Sequence, residues 1–177
     1  MVVEGYGDRG FGVEGVVRQL VDCLSEAKFS TKIVTMVLQG KVSRLEQVYC
    51  VPFWAWTGQV RFHIYQQRSI DHLLSDDATS VVHCHGAMSW LQRSATRAAK
   101  KYGIPVILSP HGMLESWLWR QKGRWYYLLR RAYWNVFLKP VFRHVDYWHA
   151  ITKQEEESIR SEFPDASVFR IPNAIDL

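Results

Sequence analysis

The fold is decided by residues 80–112, SVVHCHGAMSWLQRSATRAAKKYGIPVILSPHG. A short apolar strand, Ser80 to His83, opens this stretch, and a second apolar strand, Pro105 to Leu108, lies near its end. Between them a helix is predicted from Ala87 to Tyr102. It is expected to end there because Gly103 follows in a position suited to a left-handed cap. Strand, helix and strand in this order indicate two parallel neighbours joined by a crossover.

The same alternation continues in both directions along the chain. A glycine-rich loop is predicted from Gly5 to Gly12, and Pro140 is expected to end the longest helix. The further predicted strands are residues 2–4, 31–38, 48–51, 147–151 and 168–171. The further predicted helices are residues 13–27, 60–74, 115–138 with an interruption near Gly123, and 152–163, where Thr152 and Glu155 have capping-box spacing. The expected buried face of the first of these helices is Val13, Val16, Val17, Leu20 and Leu24. This order predicts the α/β class, with a doubly wound, mostly parallel sheet and helices on both faces.

Polar and glycine residues follow several of these strands directly. Ligands bind such sheets outside the carboxyl ends of the strands, near the point where the strand order reverses. The residues predicted to gather at that edge are Gly10, Gly12, His83, His85, Gly86, His111, Gly112, Thr152 and Asn173. The sequence therefore predicts one site built from turns that are far apart along the chain.

The glycine loop contains the spacing GxGxxG twice, as Gly5-Gly7-Gly10 and as Gly10-Gly12-Gly15. Glycines there let backbone N–H groups approach a phosphate at the positive end of the following helix. The dinucleotide version of this motif also needs an acid after the second strand, where the chain reads Val37-Leu38-Gln39-Gly40-Lys41. A nicotinamide cofactor is therefore disfavoured but stays open as an alternative, as does a loop that only turns the chain.

The histidines do not have the spacing of a metal site. Alternation along the strand places Cys84 opposite His83 and His85, and no carboxylate completes a set of ligands, so we expect no metal. His85 and His111, at strand ends, are expected to face the cleft, where a histidine can donate to a sugar hydroxyl or a phosphate. A purely structural role remains the alternative, more for His85 than for His111.

A basic and aromatic segment runs from Ser116 to Val145 and contains seven Lys or Arg residues but no Asp or Glu. On a helix, Trp125, Leu129, Ala132 and Val136 form a stripe expected to face the core. The opposite face is expected to be cationic, aromatic and exposed, and it contains Arg124, Tyr127, Arg131, Trp134 and Leu138. Such a face suits an anionic membrane or a lipid-linked substrate. Single-stranded nucleic acid and packing against a further domain are the alternatives.

Composition agrees with a globular domain that has an anionic partner. The 177 residues are 47% hydrophobic, enough for a core, and the net charge is +5. The longest apolar run, Val48 to Trp56, is far too short to span a bilayer. Three cysteines without a CxxC pairing are typical of free thiols in a reducing compartment, which predicts a cytoplasmic location.

Five segments together resemble glycosyltransferase family 4, namely GFGVEGVVRQLVDCLSEA, VVHCHGAMS, GIPVILSPHGMLESWLWRQKG, HAITKQEEESIR and VFRIPNAID. The most specific are Ser109 to Trp117 and Ile171 to Asp176. The resemblance implies one Rossmann-like half of a GT-B enzyme, in which two such domains face each other across a cleft. Residues 1–171 would be the acceptor-binding domain, and residues 172–177 would begin the crossing to a donor-binding domain.

The resemblance also assigns roles to individual residues. Gly10 and Gly12 would approach the donor diphosphate, and His111 would be the catalytic histidine that contacts the transferred sugar. His85, Gly86, Glu115 and Trp117 would line the substrate site. Asn173 and Asp176 would lie at the crossing between domains, although Ala174 stands where glycine is usual in the family. No cofactor is implied beyond a nucleotide-sugar co-substrate, because side chains and a helix end would stabilise the leaving diphosphate.

The implied function is the acceptor side of a retaining, metal-independent glycosyltransferase. It would move a sugar onto a growing, lipid-linked polysaccharide or lipopolysaccharide at the cytoplasmic face of the membrane. The expected partners are the other domain, the glycan or lipid-linked acceptor and an anionic membrane surface, and no nucleic acid. In the family the other domain carries the nucleotide-sugar site and paired glutamates, so these 177 residues alone are expected to be inactive. A non-catalytic basic and aromatic docking module is the alternative.

Overall fold

A computed structural model describes residues 1–7, 12–39, 47–50, 59–75, 78–121 and 123–173. The strands are β1 Gly5–Gly7, β2 Lys32–Thr35, β3 Val37–Gln39, β4 Gln47–Cys50, β5 Val82–His85, β6 Val106–Ser109, β7 Tyr147–Ala150 and β8 Val168–Arg170. The α-helices are α1 Val13–Glu26, α2 Gln59–Leu74, α3 Trp90–Lys101, α4 Ser116–Arg120, α5 Arg124–Tyr133, α6 Lys139–Phe142 and α7 Lys153–Glu162. A π-helical segment, Trp134–Leu138, joins α5 to α6.

The N-terminal residues hold the two halves of the sheet together. Val2 forms parallel bridges to Val34 in β2 and to Cys84 in β5. The N–H of Val2 donates to the carbonyl of His83 over 2.8 Å, and that of His85 donates to the carbonyl of Val2 over 2.8 Å. The order across the sheet is therefore β4, β2, residues 1–4, β5, β6, β7 and β8, with every described pairing parallel. The strand order reverses between residues 1–4 and β5, which makes this the switch point.

Helices cover the sheet from both sides, which confirms the predicted fold class. Val3 and Ile33 pack against Val17 and Val21 of α1 on one face. On the other face, a larger core surrounds Cys84 of β5 and is built with α3, the π-helical segment, α6 and α7. Neighbouring strand residues alternate between these cores because successive side chains point to opposite faces of a sheet.

Two predictions near the N-terminus need correction. Gly5–Gly7, predicted as part of a loop, is strand β1 and pairs with Val37–Gln39. The predicted strand over residues 31–38 is divided at Met36 into β2 and β3. Both corrections have one physical reason, since the chain beyond Glu4 continues in an extended form as β1 and pairs in parallel with β3, separately from the pairing of β2 with β4.

Pro140 does not end the long helical region, which continues as α6 to Phe142. Proline lies in the first turn of α6, where a helix does not need the N–H that proline lacks. The π turn before it has hydrogen bonds between residues five apart, which changes the pairing of backbone groups just before Pro140. The predicted break near Gly123 is confirmed, because Gly123 separates α4 from α5. The left-handed cap at Gly103 is also confirmed by its φ of 68°.

No helix in the described ranges is both long enough and apolar enough to cross a bilayer.

Candidate functional site

Two polar turns meet beside the switch point of the sheet. His85 ends β5 and Ser109 ends β6, and these two residues are register partners. The N–H of Gly86 donates to the carbonyl of Ser109 over 2.7 Å. The turn of His111 and Gly112 follows immediately. The carboxyl ends of β5 and β6 therefore bring His85 and His111 together, as the parallel arrangement predicts.

The turn that carries His111 is held from below by a buried carboxylate. His111 has a φ of 52°, a left-handed conformation that few residues other than glycine adopt. Glu155, only 1% exposed, accepts hydrogen bonds from the N–H of Gly112 over 2.7 Å and from that of Ile151 over 2.8 Å. Its own N–H donates to the Thr152 hydroxyl over 3.1 Å, which confirms the predicted cap of α7. Thus the start of α7 fixes the turn after β6.

His85 and His111 form a pair. Nδ1 of His85 lies 3.0 Å from Nε2 of His111, and the rings stack with centroids 5.3 Å apart. His85 is only 2% exposed, so it supports His111 from behind and does not reach an open cleft, contrary to the prediction. Its Nε2 is buried without a hydrogen-bond partner among the described residues. Because that atom has no competing partner, either His85 or His111 can donate the hydrogen bond between the two rings, depending on the tautomer of each ring.

A second hydrogen-bonded chain starts at the carbonyl of Ile171. His149 Nε2 donates to this carbonyl over 2.8 Å, which fixes its tautomer and makes Nδ1 an acceptor when the ring is neutral. The hydroxyl of Ser109 then donates to that Nδ1 over 2.8 Å and accepts from His83 Nε2 over 2.8 Å. Ile171, the residue before the predicted crossing segment, is thereby tied to the centre of the sheet.

Sequence reasoning missed His149 and Ser109 as members of this site. A signal was present, because alternation along β7 places His149 on the face opposite Trp148, which is buried. Cys84 is fully buried on the far face from His83, as predicted. Among the described residues there is no group of three or more side chains placed to hold a metal ion.

Burial holds His83, His85 and His111 in the neutral form. Burial, with a smaller effect of charge on His149, lowers the pKa of His111 to about 4. Burial likewise lowers the pKa of His83 to about 3, and it lowers that of His85 well below the usual range. A neutral imidazole offers one donor and one acceptor, a combination suited to a sugar hydroxyl. It does not supply positive charge for a diphosphate.

These pKa values predict a steep loss of stability in mild acid. A histidine whose pKa is lower in the folded state than its ordinary 6.5 lets the unfolded chain bind protons first as the pH falls. We expect the free energy of unfolding to fall below pH 6.5 by about 1.4 kcal/mol per pH unit for each histidine until the folded pKa is reached. Urea denaturation between pH 7.5 and pH 5 measures this slope. His83→Gln should make it shallower, and an unchanged slope would contradict the assignment.

Glu115 and Trp117 form a wall beside the His111 turn. The indole N–H of Trp117 donates to the Glu115 carboxylate, and Gln154 Nε2 donates to Oε2 of the same carboxylate over 3.2 Å. Trp117 is 53% exposed, so its ring is available to a ligand. The predicted pair is therefore brought together next to Gly112, where a φ of 76° favours glycine although a Cβ would lie at an ordinary 3.7 Å from Glu115 Oε1.

The glycines of the site differ in their surroundings. A Cβ on Gly86 would meet Gln92 Nε2 at 3.2 Å and Met113 Cε at 3.3 Å, and its φ of 93° excludes other residues independently. Gly12 opens α1 with a φ of 65°, and a Cβ placed on it would meet no atom of the described residues within 4 Å, which leaves room on that side of the helix N-terminus. Since all the strands are parallel, Gly12 and His111 both lie beyond the carboxyl edge of the sheet. Gly10 and Asp176 lie outside the described residues.

A largely apolar cavity of about 770 Å³ is lined from both faces of the sheet, by His83 and His149 on one face and by Val34 and Ala95 from the core on the other. Val16, Leu20 and Leu24, predicted as the buried face of α1, line it and are only half-buried. His83, His149 and Asn173 border the same space. The start of the predicted crossing therefore runs along this cavity.

The two faces of α5 and the π-helical segment are the reverse of those predicted. Trp125, Leu129 and Val136, expected in the core, are 80%, 70% and 62% exposed. Trp134 and Leu138, expected outside, are fully buried, Tyr127 and Arg131 are half-buried, and only Arg124 is exposed as predicted. The face that was expected to meet a membrane or acceptor is thus mostly an inner face.

Glu162 of α7 is the physical reason for this reversal. Its carboxylate accepts hydrogen bonds from Arg131, from Trp134 Nε1 over 3.1 Å and from Lys139 Nζ over 2.7 Å. Burial opposes the charge of Glu162, but these three donors outweigh it and hold its pKa below the ordinary value. One acid from a distant helix therefore allows basic and indole groups to lie inside.

Comparison with known proteins agrees with this architecture. The model of Glycosyltransferase Family 4 matches residues 11–177. No curated protein matches the chain.

Several solved structures share the fold at low sequence identity. A ugt transferase from Siraitia grosvenorii in complex with UDP has a TM-score of 0.59 and 14% identity, with 99% of this chain and 49% of that chain covered. MnaA from S. aureus with UDP has a TM-score of 0.57 and 16% identity, with 97% and 43% covered. UDP-GlcNAc 2-epimerase from Neisseria meningitidis bound to UDP-GlcNAc has a TM-score of 0.51 and 15% identity, with 97% and 46% covered. The chain therefore spans less than half the length of these proteins.

Proposed function

Because the chain belongs to glycosyltransferase family 4, we propose that it forms the acceptor-binding half of a retaining sugar transferase. The complete enzyme would move a sugar from a nucleotide donor to a growing, lipid-linked polysaccharide or lipopolysaccharide on the cytoplasmic side of the membrane. The donor half would be supplied by a further domain. This chain by itself would bind acceptor but not transfer sugar.

The observation that supports the proposal most is the neutral His111 held at the switch point. Its φ of 52°, its contact with His85 and the hydrogen bond from the Gly112 N–H to Glu155 fix the ring in place before any ligand arrives. A pKa of about 4 keeps the ring neutral at pH 7, so its single N–H can donate to the oxygen of one sugar hydroxyl. A group fixed in advance loses little entropy when substrate binds, which favours the transition state.

The other site residues would divide the remaining tasks. Gly12 would admit the donor diphosphate to the N-terminus of α1, where backbone N–H groups face an anion. Glu115 and Trp117 would line the acceptor side, with the exposed indole stacking on a sugar ring. Asn173, and Asp176 beyond the described residues, would belong to the crossing. The nucleotide sugar would be a co-substrate, and no resident cofactor or metal is proposed.

Titration and transfer assays test these statements separately. Isothermal titration of the 177-residue chain with UDP-glucose and GDP-mannose should show no micromolar binding, and such binding would contradict the division into two halves. The full-length gene product, incubated with radiolabelled UDP- and GDP-sugars and total membrane lipid, should place label in the lipid fraction. NMR of the anomeric proton of the product should show the donor's configuration. Absence of any transfer would contradict the proposed function.

A further inference from the structure

The exposed side of α5 and the π-helical segment is a continuous apolar surface. Residues spaced by three, four, seven and eleven lie on one side of a helix, and here that side faces outward. We call it the outer face; its members are Trp125, Leu128, Leu129, Ala132 and Val136. Single exposed apolar residues are ordinary, but a stripe led by a tryptophan that is 80% exposed indicates an interaction surface.

The charges around the outer face are unbalanced. The chain has no Asp or Glu from residue 116 to residue 145. Glu162 neutralises Arg131 and Lys139 on the inner side of the helix. Arg120, Arg124 and Arg143 are exposed, and within the described residues none of them pairs with a carboxylate. The segment that carries the outer face therefore has exposed arginines that are available to an anionic partner, with Arg124 directly before Trp125 and the Arg120 guanidinium over the Tyr127 ring.

Tryptophan and leucine flanked by arginine fit one occupant better than others. A bilayer surface takes up leucine and valine below its headgroups, places tryptophan at the headgroup level and attracts arginine through anionic lipid. A stable protein partner would instead be expected to offer carboxylates and a shaped pocket for the indole. We propose that the outer face docks on an anionic lipid bilayer. This extends the proposed function by identifying the surface that would hold the acceptor half at the membrane.

From the sequence alone, the opposite side of this helix was expected to be the exposed side that meets a membrane or a lipid-linked substrate. Tyr127 and Trp134, the aromatic residues of the face predicted to be exposed, are half-buried and fully buried and cannot enter a membrane without unfolding the core. The two assignments therefore make different experimental predictions. Among the apolar and aromatic residues of this helix, only substitutions on the outer face should release the protein from lipid.

Vesicle sedimentation with the 177-residue chain tests the proposal. The chain should pellet with vesicles of phosphatidylglycerol and phosphatidylcholine, and much less with pure phosphatidylcholine. Trp125→Ser with Leu129→Ser should weaken pelleting by about tenfold or more, because these two side chains would bury the most apolar area in the bilayer. The matched control is Phe29→Ser with Val81→Ser, which replaces two other exposed apolar residues, 65% and 47% exposed, and should pellet like the unmodified chain.

The arginines are tested in the same assay. Arg120→Glu with Arg124→Glu should abolish the preference for anionic vesicles, since each basic residue near the surface contributes about fivefold. Arg97→Glu with Lys153→Glu makes the same change of net charge elsewhere and should have a much smaller effect. Equal losses in both pairs would overturn the proposal, because they would indicate attraction by net charge alone.

Two further outcomes would also overturn it. Pelleting unaffected by Trp125→Ser with Leu129→Ser would exclude the outer face as the lipid contact. A dimer in sedimentation velocity that this variant converts to a monomer would show that a second copy covers the face. The His111→Ala variant should still bind vesicles normally, so failure of membrane docking can be distinguished from failure of the proposed sugar transfer.

Discussion

Replacing His111 by alanine in the full-length gene product is expected to lower kcat for sugar transfer by about a hundredfold. The substitution removes the neutral imidazole that is fixed by its contact with His85 and by its left-handed backbone. Because the ring would orient the sugar and not neutralise charge, the loss should be the same from pH 6 to pH 8. Steady-state kinetics with the nucleotide-sugar donor identified in the transfer assay measures it.

His111→Asn and His144→Ala are the controls for this experiment. Asparagine tolerates a φ of 52° and retains a side-chain donor, so His111→Asn should recover part of the activity. His144→Ala removes an exposed histidine outside the site and should leave kcat unchanged. Circular dichroism checks that each variant is folded. Activity of His111→Ala within threefold of the unmodified enzyme would exclude the proposed role.

The second large effect is expected from Glu155→Ala, which should reduce the free energy of unfolding by about 3 kcal/mol. The substitution leaves the N–H groups of Gly112 and Ile151 without their charged acceptor at a partly buried site. A loss of this size corresponds to about 10 °C in Tm for a domain of this length. Thermal and urea denaturation at pH 7 give both quantities.

The matched control is Glu157→Ala on the same helix. Glu157 forms an ion pair with Lys153 over 3.8 Å, but both side chains are largely exposed, so only a small change is expected. Glu155→Gln retains one acceptor oxygen, so its free energy of unfolding should lie between those of Glu155→Ala and Glu157→Ala. In ¹⁵N NMR spectra the amide of Gly112 should move upfield and exchange faster in Glu155→Ala. Equal stability of the Glu155 and Glu157 variants would contradict the assigned role.

If both predictions hold, the His111 turn depends on a residue 44 positions away along the chain. The capping pattern of Thr152 and Glu155 predicted a helix start, and the structure confirms it. The pattern gave no sign that the same carboxylate would also bond to Gly112. Capping requires only a local acceptor, whereas this second contact depends on how β6 and β7 are paired.

The position of His85 illustrates a similar limit. Strand alternation correctly placed it on the face opposite Cys84, but the sequence could not determine how much of that face would be open. The His85 ring lies against that of His83, tilted by 33° with centroids 4.1 Å apart, and beneath His111, so it is almost completely buried. Exposure depends on neighbours from other strands and not on periodicity.

The sequence by itself determined the class of the fold, the order of most elements and the edge of the sheet where His111, Gly12 and Gly86 gather. These features follow from local periods of two and 3.6 residues, from glycine and proline positions, and from the rule that parallel strands end at one edge. Only the tertiary structure decided which side of the helix at residues 124–138 is buried. That helix has two apolar sides of similar strength, and the choice was made by Glu162, which supplies an acceptor for Trp134 and charge for Arg131 from a distant part of the chain.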